Sequence, residues 1–474
     1  MSQTITIDPV TRLEGHGKIT IHLNGQGEVE DAHFHVTQIR GFEKFSEGRP
    51  YYEMPGLMAR ICGICPVSHL IASAKACEAI MSVRIPPTAA LLRRMLNLAQ
   101  MVQSHALSFF YLASPDLLLG MEFDPKLRNI LGVAAAKPEL GRAGVGLRRF
   151  GQHIIELLGS KRVHPGWVIP GGVTEPLSSA KRDEILGLLP EAYANASLAL
   201  AAYKQIADRF QPEIDVFANF PSNFMSLVNE DGSIEFNTGA LRLIDAQGAT
   251  IEDGIGAARY AEVVGEAVEP YSYTKFAYYK PLGYPQGSYR VGPLARLNIA
   301  SSMGTPLAEK ELAEFKQLAS GPVHSSFHYH HARLVEILYG IEKIEEILND
   351  SRILDKHVRA TAGVNRLEGA GQAEAPRGVL HHHYKVDENG KMQWANLVIA
   401  TGQNNKAMNE GVLQAARHYV KDGKFTEGIL NRVEAVVRTF DPCLSCSSHA
   451  FGQMPLAISL LSARGEVVDR VVRS

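Results

Sequence analysis

The first part of the chain alternates apolar and polar residues with the two-residue period of a half-buried β-strand. His16–Leu23 has this pattern, and Glu28–Val36 repeats it after a turn that contains two glycines. Two such runs joined by a short turn predict an antiparallel pair. Residues 1–54 are therefore expected to form N-terminal strands.

After residue 55 the apolar positions recur at helical spacing. The pair Pro86-Pro87 is typical of a stop between two helices, because proline is tolerated at the start of a helix and not in its interior. Residues 55–210 are expected to form a helical bundle. The predicted helices are Leu70–Met81, Leu91–Leu112, Leu140–Leu158 and Ser179–Phe210.

The second half of the chain is more varied. Residues 211–306 are rich in Gly, Pro and Tyr, which indicates mixed loops and short strands. Residues 307–449 are expected to contain helices, a hairpin and a C-terminal metal motif. The predicted elements are a helical segment Leu307–Asp350 broken at Gly321-Pro322, a hairpin over 378–400 that turns at 388–390, and helices Asn405–Tyr419 and Leu430–Arg438.

Length and composition favour one large globular body. The chain has 474 residues, of which 45% are hydrophobic and 21% charged, as in ordinary soluble proteins. Its 48 basic and 50 acidic residues give a net charge of −2, which excludes nucleic-acid binding by bulk charge. An apolar run of about 18 residues, as a membrane span needs, is absent from the sequence. We expect an α+β fold, mainly helical with an N-terminal antiparallel sheet, in which residues 1–449 form one unit.

Four of the five cysteines form two Cys-x-x-Cys pairs, Cys62/Cys65 and Cys443/Cys446. A zinc ribbon places its two pairs about 15–20 residues apart, whereas these pairs lie near opposite ends of the chain. The spacing alone leaves three interpretations open: a structural Zn(Cys)4 site, a redox disulfide pair and a catalytic soft-metal centre. Cys77 lies in an Ala-rich helical stretch and is expected in the core.

The residues that flank the pairs favour catalysis. Arg60 and His69 surround the first pair, and Asp441 and His449 surround the second. Buried charge near metal thiolates is costly unless it is paired or functional. A structural zinc site needs no such groups.

These signatures resemble those of the [NiFe]-hydrogenase large subunit, over essentially the whole chain. The paired cysteine motifs are very specific, and further motifs follow in the order of that family. The matching segments are Asp8–Ile19 (DPVTRLEGHGKI), Arg40–Glu43 (RGFE), Arg60–His69, Glu374–Gly378 (EAPRG), Leu397–Thr401 (LVIAT) and Asp441–His449. Among subgroups, the LVIATGQNN stretch most resembles the cytoplasmic NAD-reducing soluble enzymes. The cofactor-F420-linked and other cytoplasmic relatives are the alternative.

The resemblance implies a Ni–Fe centre whose iron carries CO and cyanide. All four thiolates would bind nickel, with Cys65 and Cys446 bridging to iron and Cys62 and Cys443 terminal. The reaction would be heterolytic H2 oxidation, H2 ⇌ 2H+ + 2e−. Thiolates suit such soft metals.

The resemblance also implies roles for the residues around the metals. Arg377 would polarise H2 or accept its proton, and Asp441 would orient Arg377. His69 would hydrogen-bond a bridging thiolate, Thr401 would donate to a cyanide, and Glu14 would relay protons. One position departs from the family pattern, because Ser104 stands where many members have an aspartate.

A hard-cation site, usually Mg2+, is implied near the chain end. Its protein ligands would be Glu43, His449 and a backbone carbonyl around Leu397. Two groups of histidines are assigned to no metal. His324, His328, His330 and His331 are expected as polar surface or capping residues, and His381–His383 lie on an alternating strand and face both sides.

Partners and processing follow from the resemblance as well. An iron–sulfur cluster needs about four cysteines, and only Cys77 remains, so electrons would leave through an iron–sulfur small subunit. The subgroup implies a flavin- and NAD-binding module. Residues 450–474 would be removed by a maturation protease, which cuts after His449 once nickel-insertion factors have acted. No export signal is visible, which favours a cytoplasmic location.

The competing hypotheses are a metal-free scaffold, like the related subunits of respiratory complex I, and the Zn(Cys)4 protein.

Overall fold

The structure is a computed structural model that describes residues 3–449, 456–464 and 466–473. Its helices are distributed along the whole chain. They are α1 Phe42–Phe45, α2 Met54–Met58, α3 Pro66–Met81, α4 Pro87–Ala106, α5 Ile130–Ala136, α6 Pro138–Gly159, α7 Ser179–Ala207, α8 Gln211–Ile214, α9 Tyr260–Val263, α10 Pro293–Ile299, α11 Pro306–Lys316, α12 Tyr329–Asn349, α13 Ala400–Gln403, α14 Asn405–Tyr419, α15 Glu427–Phe440 and α16 Leu444–Ser447.

The strands form several small sheets rather than one large one. They are β1 Gln3–Ile7, β2 Gly17–Leu23, β3 Val29–Val36, β4 Val168–Ile169, β5 Gly172–Val173, β6 Asn223–Val228, β7 Ala240–Ile244, β8 Thr250–Ile255, β9 Val264–Ala267, β10 Phe276–Tyr279, β11 Tyr289–Arg290, β12 Glu368–Ala375, β13 Gly378–Val386, β14 Met392–Val398, β15 Leu456–Leu461 and β16 Val467–Arg473. Strands β1–β2–β3 and β12–β13–β14 make two antiparallel sheets, and β11–β6–β7–β8 make a mixed sheet.

The long helices form the body of the fold. Helix α4 packs against α6 and α12, and α7 packs against the same two helices. Helix α4 continues into a π-helical segment, Leu107–Ala113. The N-terminal sheet packs with β3 against α14, and the inward residues of β2 are buried. The prediction of an α+β fold with a helical majority and an N-terminal antiparallel sheet is confirmed.

Among the described residues, one helical segment is long and apolar enough to cross a membrane, by length and composition alone. It covers Ser179–Ile214, which includes α7 and α8. Ile185, Leu189, Leu200 and Tyr203 of α7 are buried, and α7 packs on α6 and α12. These contacts bury one face of α7 against the helical body, while most of the segment lies outside the core.

The structure differs from the predicted elements in several places, of which three show a clear physical cause. Helix α3 begins at Pro66 rather than Leu70, because Cys65 occupies the N-cap and Pro66 the first helical position. The break in the segment 307–350 is longer than Gly321-Pro322, since α11 ends at Lys316 and α12 begins at Tyr329. The hairpin has a third strand, β12, whose Gly- and Ala-rich sequence carries little β-propensity.

The expectation that four histidines near residue 330 lie on the surface was wrong. His328, His330 and His331 are 8%, 3% and 5% exposed, and His324 is half-buried. They pack among aromatic rings: His330 meets Phe327 edge to face, and His331 stacks on Tyr203. Burial lowers the pKa of His328 to about 4 and that of His330 to about 3, so these rings pack as neutral aromatic groups.

A buried arginine fixes the turn between β12 and β13. Arg296 is fully buried, and its Nε and Nη2 atoms donate to the two oxygens of Glu336 at 2.7 Å each. Its Nη1 donates to Glu374 at 2.6 Å and to the Ala375 carbonyl at 3.1 Å, and Nη2 also donates to the Pro376 carbonyl at 3.2 Å. All five guanidinium N–H groups therefore have acceptors.

Arg296→Lys is expected to destabilise the protein, because an ammonium has three donors and cannot replace a five-donor fork. At least two buried acceptors would lose their partner, which costs about 2–5 kcal/mol. Thermal unfolding of the full chain measures the effect. Arg352→Lys is the matched control, since Arg352 is exposed and its pair with Asp350 lies at the surface. Equal shifts for the two variants would contradict the role of Arg296.

Candidate metal centre

The two ends of the chain meet at one point inside the protein. Glu14 and Cys443 form an isolated parallel bridge, in which the Leu444 N–H donates to the Glu14 carbonyl at 3.1 Å. Gly15 follows with a φ of +89°, and a Cβ there would lie 2.7 Å from that of Leu444. Glycine at this position allows the N-terminal loop to lie directly against the C-terminal cysteine motif.

The four cysteine sulfurs converge at this meeting point. Their Sγ atoms all lie within 4.8 Å of one another. The Cys62–Cys443 distance is 3.2 Å, Cys65–Cys446 is 3.5 Å and Cys443–Cys446 is 2.9 Å. All four side chains are at most 4% exposed. This is a closed, soft donor set of the kind that holds a thiophilic metal.

Local structure presents each pair. Cys62 follows a 3-10 turn, and its Sγ accepts from the backbone N–H groups of Ile64 and Cys65 at 3.2 and 3.3 Å. The second pair comes after α15, which Asp441 ends in the left-handed conformation. Cys443 then caps the short helix α16, which contains Cys446. Each pair therefore lies at the start of a helix.

Proton sharing among the thiols is uneven. Hydrogen bonds from the other three cysteines lower the pKa of Cys65 well below its usual value, and a hydrogen bond from His69 adds to this effect. Burial, followed by the neighbouring sulfurs, raises the pKa of Cys443 well above its usual value. A metal would replace these shared protons, because thiolates are the form that binds.

Arg377 occupies the turn between β12 and β13 and points at Asp441. Its Nη2 donates to Asp441 Oδ1 at 3.0 Å, and its Nε donates to the Asp441 carbonyl. Both side chains are buried. Burial alone would lower the pKa of Arg377, but the Asp441 carboxylate and the thiols of Cys443, Cys65 and Cys62 raise it well above its usual value. The guanidinium is therefore a fixed positive charge beside the sulfurs.

The Arg377–Asp441 pair keeps two polar atoms free. Within the part of the chain that the structure describes, Arg377 Nη1 and Asp441 Oδ2 have no hydrogen-bond partner. Ser104 Oγ is buried and unpartnered in the same residues. Unpaired buried polar atoms of this kind are rare in folded proteins and mark places where a ligand or water belongs.

Glu14 and Thr401 both contact the second cysteine pair. The Glu14 Oε2 atom lies 3.1 Å from Cys443 Sγ and accepts from the Ser445 N–H at 3.0 Å. Thr401 Oγ1 accepts from the Cys443 N–H at 3.0 Å, so its own hydroxyl hydrogen is free to donate. Glu14 is half-buried and Thr401 is buried.

His69 is buried four residues after Cys65 on α3. Its Nδ1 lies 3.1 Å from Nε2 of His382, which is fully buried on β13. The expectation for His381–His383 on an alternating strand agrees with the contacts, since His381 stacks on Tyr260 and His382 faces α3. The contact between His382 and His69 was not predicted.

Leu397 and His449 of the expected hard-cation site line a small cavity of about 10 Å³, and Glu43 accepts hydrogen bonds from two residues of its lining, Leu397 and Lys275. Leu397 donates its N–H to Glu43 Oε1 at 2.8 Å. His449 is 4% exposed, burial lowers its pKa to about 4, and neither ring nitrogen has a partner among the described residues. An acceptor nitrogen of this imidazole is therefore free to bind a cation.

Sequence reasoning missed two charged neighbours of this cavity. The Lys275 ammonium donates to Glu43 Oε1 at 3.0 Å and to Glu266 Oε2 at 3.3 Å. Both residues lie in the irregular middle of the chain, Glu266 on strand β9 and Lys275 in the loop before β10. Isolated charges in such a region carry no motif, so only the folded contacts could identify them.

Comparison with known proteins gives a consistent family. A family model described as HoxL-like matches residues 4–39, and one described as nickel-dependent hydrogenase matches residues 40–122 and 219–449. The chain is 41% identical to the beta chain of the NAD-reducing hydrogenase HoxS of Cupriavidus necator, over 100% of both chains. It is also 41% identical to a component of the F420-non-reducing hydrogenase vhc of Methanococcus voltae, over 97% of this chain and 98% of that one.

Solved structures agree with this result. A crystal structure of an NAD+-reducing [NiFe]-hydrogenase in the H2-reduced state is 43% identical and matches with a TM-score of 0.92, over 94% of this chain and 99% of that one. The Ni-Fe-Se hydrogenase of D. vulgaris Hildenborough, at 24% identity and a TM-score of 0.76 over 95% of this chain and 100% of that one, has the same fold. This chain belongs to the nickel-dependent hydrogenase family.

Proposed function

We propose that this chain is the catalytic subunit of a [NiFe]-hydrogenase that catalyses H2 ⇌ 2H+ + 2e−. The observation that carries the proposal is the combination of four buried cysteine sulfurs with a buried, partly unpaired Arg377–Asp441 pair beside them. A structural Zn(Cys)4 site would use the sulfurs alone. It would leave the free Arg377 Nη1 and Asp441 Oδ2 atoms without any group to bind.

The donor set fits a nickel–iron centre. Cys62 and Cys443 would bind nickel as terminal ligands, and Cys65 and Cys446 would bridge nickel and iron, whose remaining ligands would be CO and cyanide. The position of His69 one helical turn after Cys65 on α3 and the free hydroxyl hydrogen of Thr401 beside Cys443 support this assignment. When bound, such a centre supplies soft, redox-active metals that polarise and split H2.

Arg377 would act on the substrate side of the centre. Its free Nη1–H is directed away from Asp441, and the raised pKa keeps the group protonated. A preorganised cation in a buried site stabilises negative charge as it develops, at no cost of reorganisation. Asp441 orients the guanidinium through Oδ1 and its carbonyl.

Glu14 would take the proton from the terminal sulfur. Its carboxylate contacts Cys443 Sγ at hydrogen-bond distance and is half-buried, so it joins the closed site to the outer parts of the protein. General acid–base groups must be within such reach of the proton they move. The Ser445 N–H holds the same oxygen in place.

Mg2+ would occupy the site beside His449. Glu43 supplies a carboxylate, His449 supplies a free imidazole nitrogen, and a backbone carbonyl around Leu397 would complete the protein ligands. Lys275 and Glu266 border the cavity. The hydrogen bonds from Lys275 to Glu43 and to Glu266 would fix the carboxylate that faces the cation.

Electrons would pass first to an iron–sulfur small subunit, then towards NAD+. The relatives named above include NAD-reducing hydrogenases, which supports this acceptor. The similarity to F420-non-reducing hydrogenases keeps other cytoplasmic large subunits as the second candidate. A flavin- and iron–sulfur-containing NAD-reducing module and a cytoplasmic location go with the first candidate.

Maturation would remove residues 450–474 after nickel insertion. His449 is buried at the centre, and Ala450, on the far side of the proposed cut, lies outside the described residues. A segment attached directly to a buried ligand is a suitable signal that the metal site has formed.

Elemental and infrared analysis of the matured complex tests the centre. We expect nickel and iron near one each per large subunit beyond the iron of the clusters, together with CO and cyanide stretching bands. Zinc alone would support the structural alternative. A metal-free, folded protein would support the scaffold alternative.

Glu14→Gln is expected to reduce H2 turnover by about 10²–10⁴-fold, because an amide cannot take up the proton. Nickel and iron content should be unchanged, since the Ser445 and Leu444 contacts of residue 14 are retained. Glu53→Gln, at an exposed carboxylate on the surface, is the matched control. Normal turnover in Glu14→Gln would remove this residue from the proton path.

Mass spectrometry of the active large subunit tests the processing step. We expect a chain that ends at His449, shorter than the sequence by residues 450–474. An active protein that ends at Ser474 would refute the proposed cleavage.

A further inference from the structure

One buried carboxylate joins the two chain segments that meet at the cysteines. Asp116 is 2% exposed and lies in a second π-helical segment, Pro115–Leu119. Its Oδ1 accepts from Nη2 of Arg12, which belongs to the loop that carries Glu14. Its Oδ2 accepts from Nη1 of Arg438 at 2.8 Å, and Arg438 lies in the last turn of α15, just before the second cysteine pair. Each oxygen of Asp116 therefore holds a different end of the chain.

Arg438 also holds the N-terminal loop directly. Its Nε donates to the Thr11 carbonyl at 3.1 Å, and its Nη2 donates to the Thr11 hydroxyl at 3.3 Å and to Glu434. The Thr11 hydroxyl in turn donates to Glu434 Oε2 at 2.7 Å. Nη1 donates to Asp116 and to a side-chain amide oxygen of α15, so every N–H of this buried guanidinium has an acceptor. Thr11 is thus fixed to α15 three residues before Glu14.

Arg12 has an unusual backbone conformation. Its φ is +55°, in the left-handed region that residues other than glycine seldom adopt. Its Nη1 donates to the Leu112 carbonyl at 2.9 Å, and its Nη2 donates to Asn431 Oδ1 at 3.1 Å. Asn431 Nδ2 donates to Asp116 Oδ1 at 3.0 Å, so donors and acceptors match along these contacts. Backbone strain that surrounding contacts keep in place is typical of functional sites.

Asp116 is the anion at the centre of these contacts. Arg12 and Arg438 both pair with it, and Arg128 Nε lies 3.5 Å from its Oδ1. Burial alone would raise the pKa of Asp116, but the charges of Arg438 and Arg12 lower it below its usual value. An amide cannot replace this carboxylate, because its NH2 group would face one of the two guanidinium donors.

The network lies close in sequence to both members of the Glu14–Cys443 contact. Glu14 follows Arg12 by two residues in the same loop. The Arg438 carbonyl accepts from the Asp441 N–H at 3.0 Å, where α15 ends and the cysteine motif begins. The distance of 3.1 Å between Glu14 Oε2 and Cys443 Sγ therefore depends on how the loop and α15 are held together.

We propose that Asp116 is a positioning residue that holds the Glu14 carboxyl against the Cys443 sulfur, by joining the N-terminal loop to the end of α15. The inference rests on the proposed function, in which Glu14 takes the proton from that sulfur. Proton transfer requires hydrogen-bond distance, and a displacement of about 1 Å can lower a rate by about 100-fold. In the described part of the chain, Asp116 accepts hydrogen bonds from two arginines and an asparagine. It therefore acts by placement rather than by moving a proton itself.

Hydrogen–deuterium exchange of the matured complex, followed by mass spectrometry, measures this placement independently of turnover. The Leu444 and Ser445 N–H groups donate to Glu14, so their exchange reports how firmly the loop is held against the second cysteine pair. We expect faster exchange in peptides that contain these two amides in Asp116→Asn, with nickel and iron retained.

Glu78→Gln is the matched control for loss of a buried carboxylate. Glu78 is 7% exposed and pairs with the fully buried Arg93, as Asp116 pairs with its arginines. It lies near the end of α3 that is far from Cys65. The exchange of Leu444 and Ser445 should not change in this variant.

Turnover per nickel tests whether Asp116 acts through Glu14. Asp116→Asn is expected to lower it by about 10–100-fold. When Glu14→Gln is already present, adding Asp116→Asn should lower it further by less than about twofold, because residues that act as one unit are not additive. A double variant that loses the full additional factor would overturn the proposal.

Arg12 variants keep the test valid if Asp116→Asn fails to assemble. Arg12→Met removes only the arm to the loop and leaves Asp116 paired with Arg438, so the buried carboxylate keeps a counter-charge. This variant should show the same faster exchange at Leu444 and Ser445. Arg12→Lys keeps a cation at this position and should fall between Arg12→Met and the unaltered complex.

The outcomes separate this proposal from the proposed function. Exchange that is unchanged in both Asp116→Asn and Arg12→Met, or that rises equally in Glu78→Gln, would overturn the role of Asp116. An unaltered complex without nickel or without H2 turnover would contradict the function itself, whereas the exchange measurement would still decide whether Asp116 holds Glu14 in place.

Discussion

The protein depends on burying four cysteine sulfurs at a point where its two ends meet. Thiolates in an apolar interior repel one another and are costly unless a metal or hydrogen bonds compensate their charge. The backbone N–H groups that donate to Cys62 provide part of this compensation, and the Glu14–Cys443 bridge holds the N-terminal loop against the second cysteine pair. Because the bridge joins residues at opposite ends of the chain, the site can form only when nearly the whole fold is in place.

Buried arginines provide the rest of the electrostatic balance. Arg377 lies beside the sulfurs, and its turn is held by Arg296, whose own charge is compensated by Glu336 and Glu374. Burial raises the pKa of Glu374 to about 7 although Arg296 opposes this shift. The turn is thus fixed by groups that are fully buried and fully hydrogen-bonded. Such preorganisation keeps the Arg377 guanidinium in position without motion of the surrounding chain.

The sequence contained the signals for the cysteines and for the long helices, because both depend on local spacing. The Cys-x-x-Cys pairs and the apolar period of α4, α6 and α7 are visible without any tertiary information. Strand β12 was missed because its glycines and alanines have low β-propensity. The buried histidines near residue 330 and the Lys275–Glu43 pair were missed because burial and long-range pairing are set by tertiary packing.

The glycines that give β12 its low β-propensity also allow helix α3 to pack closely on this sheet. In the antiparallel register Gly369 faces Tyr384 and Gly371 faces His382, so each pair projects from the same side of the sheet. A Cβ on Gly371 would lie 2.1 Å from the Ala72 carbonyl of α3. Because Gly369 and Gly371 carry no side chain, α3 lies close enough for His382 and Tyr384 to reach His69 and Ser73. A register shift of one residue would turn His382 away and place His381 or His383, which contact Tyr260, against α3. The same register places Arg377 in the turn at the end of the two strands, so the contact of His382 with His69 and the guanidinium beside the sulfurs depend on one sheet alignment.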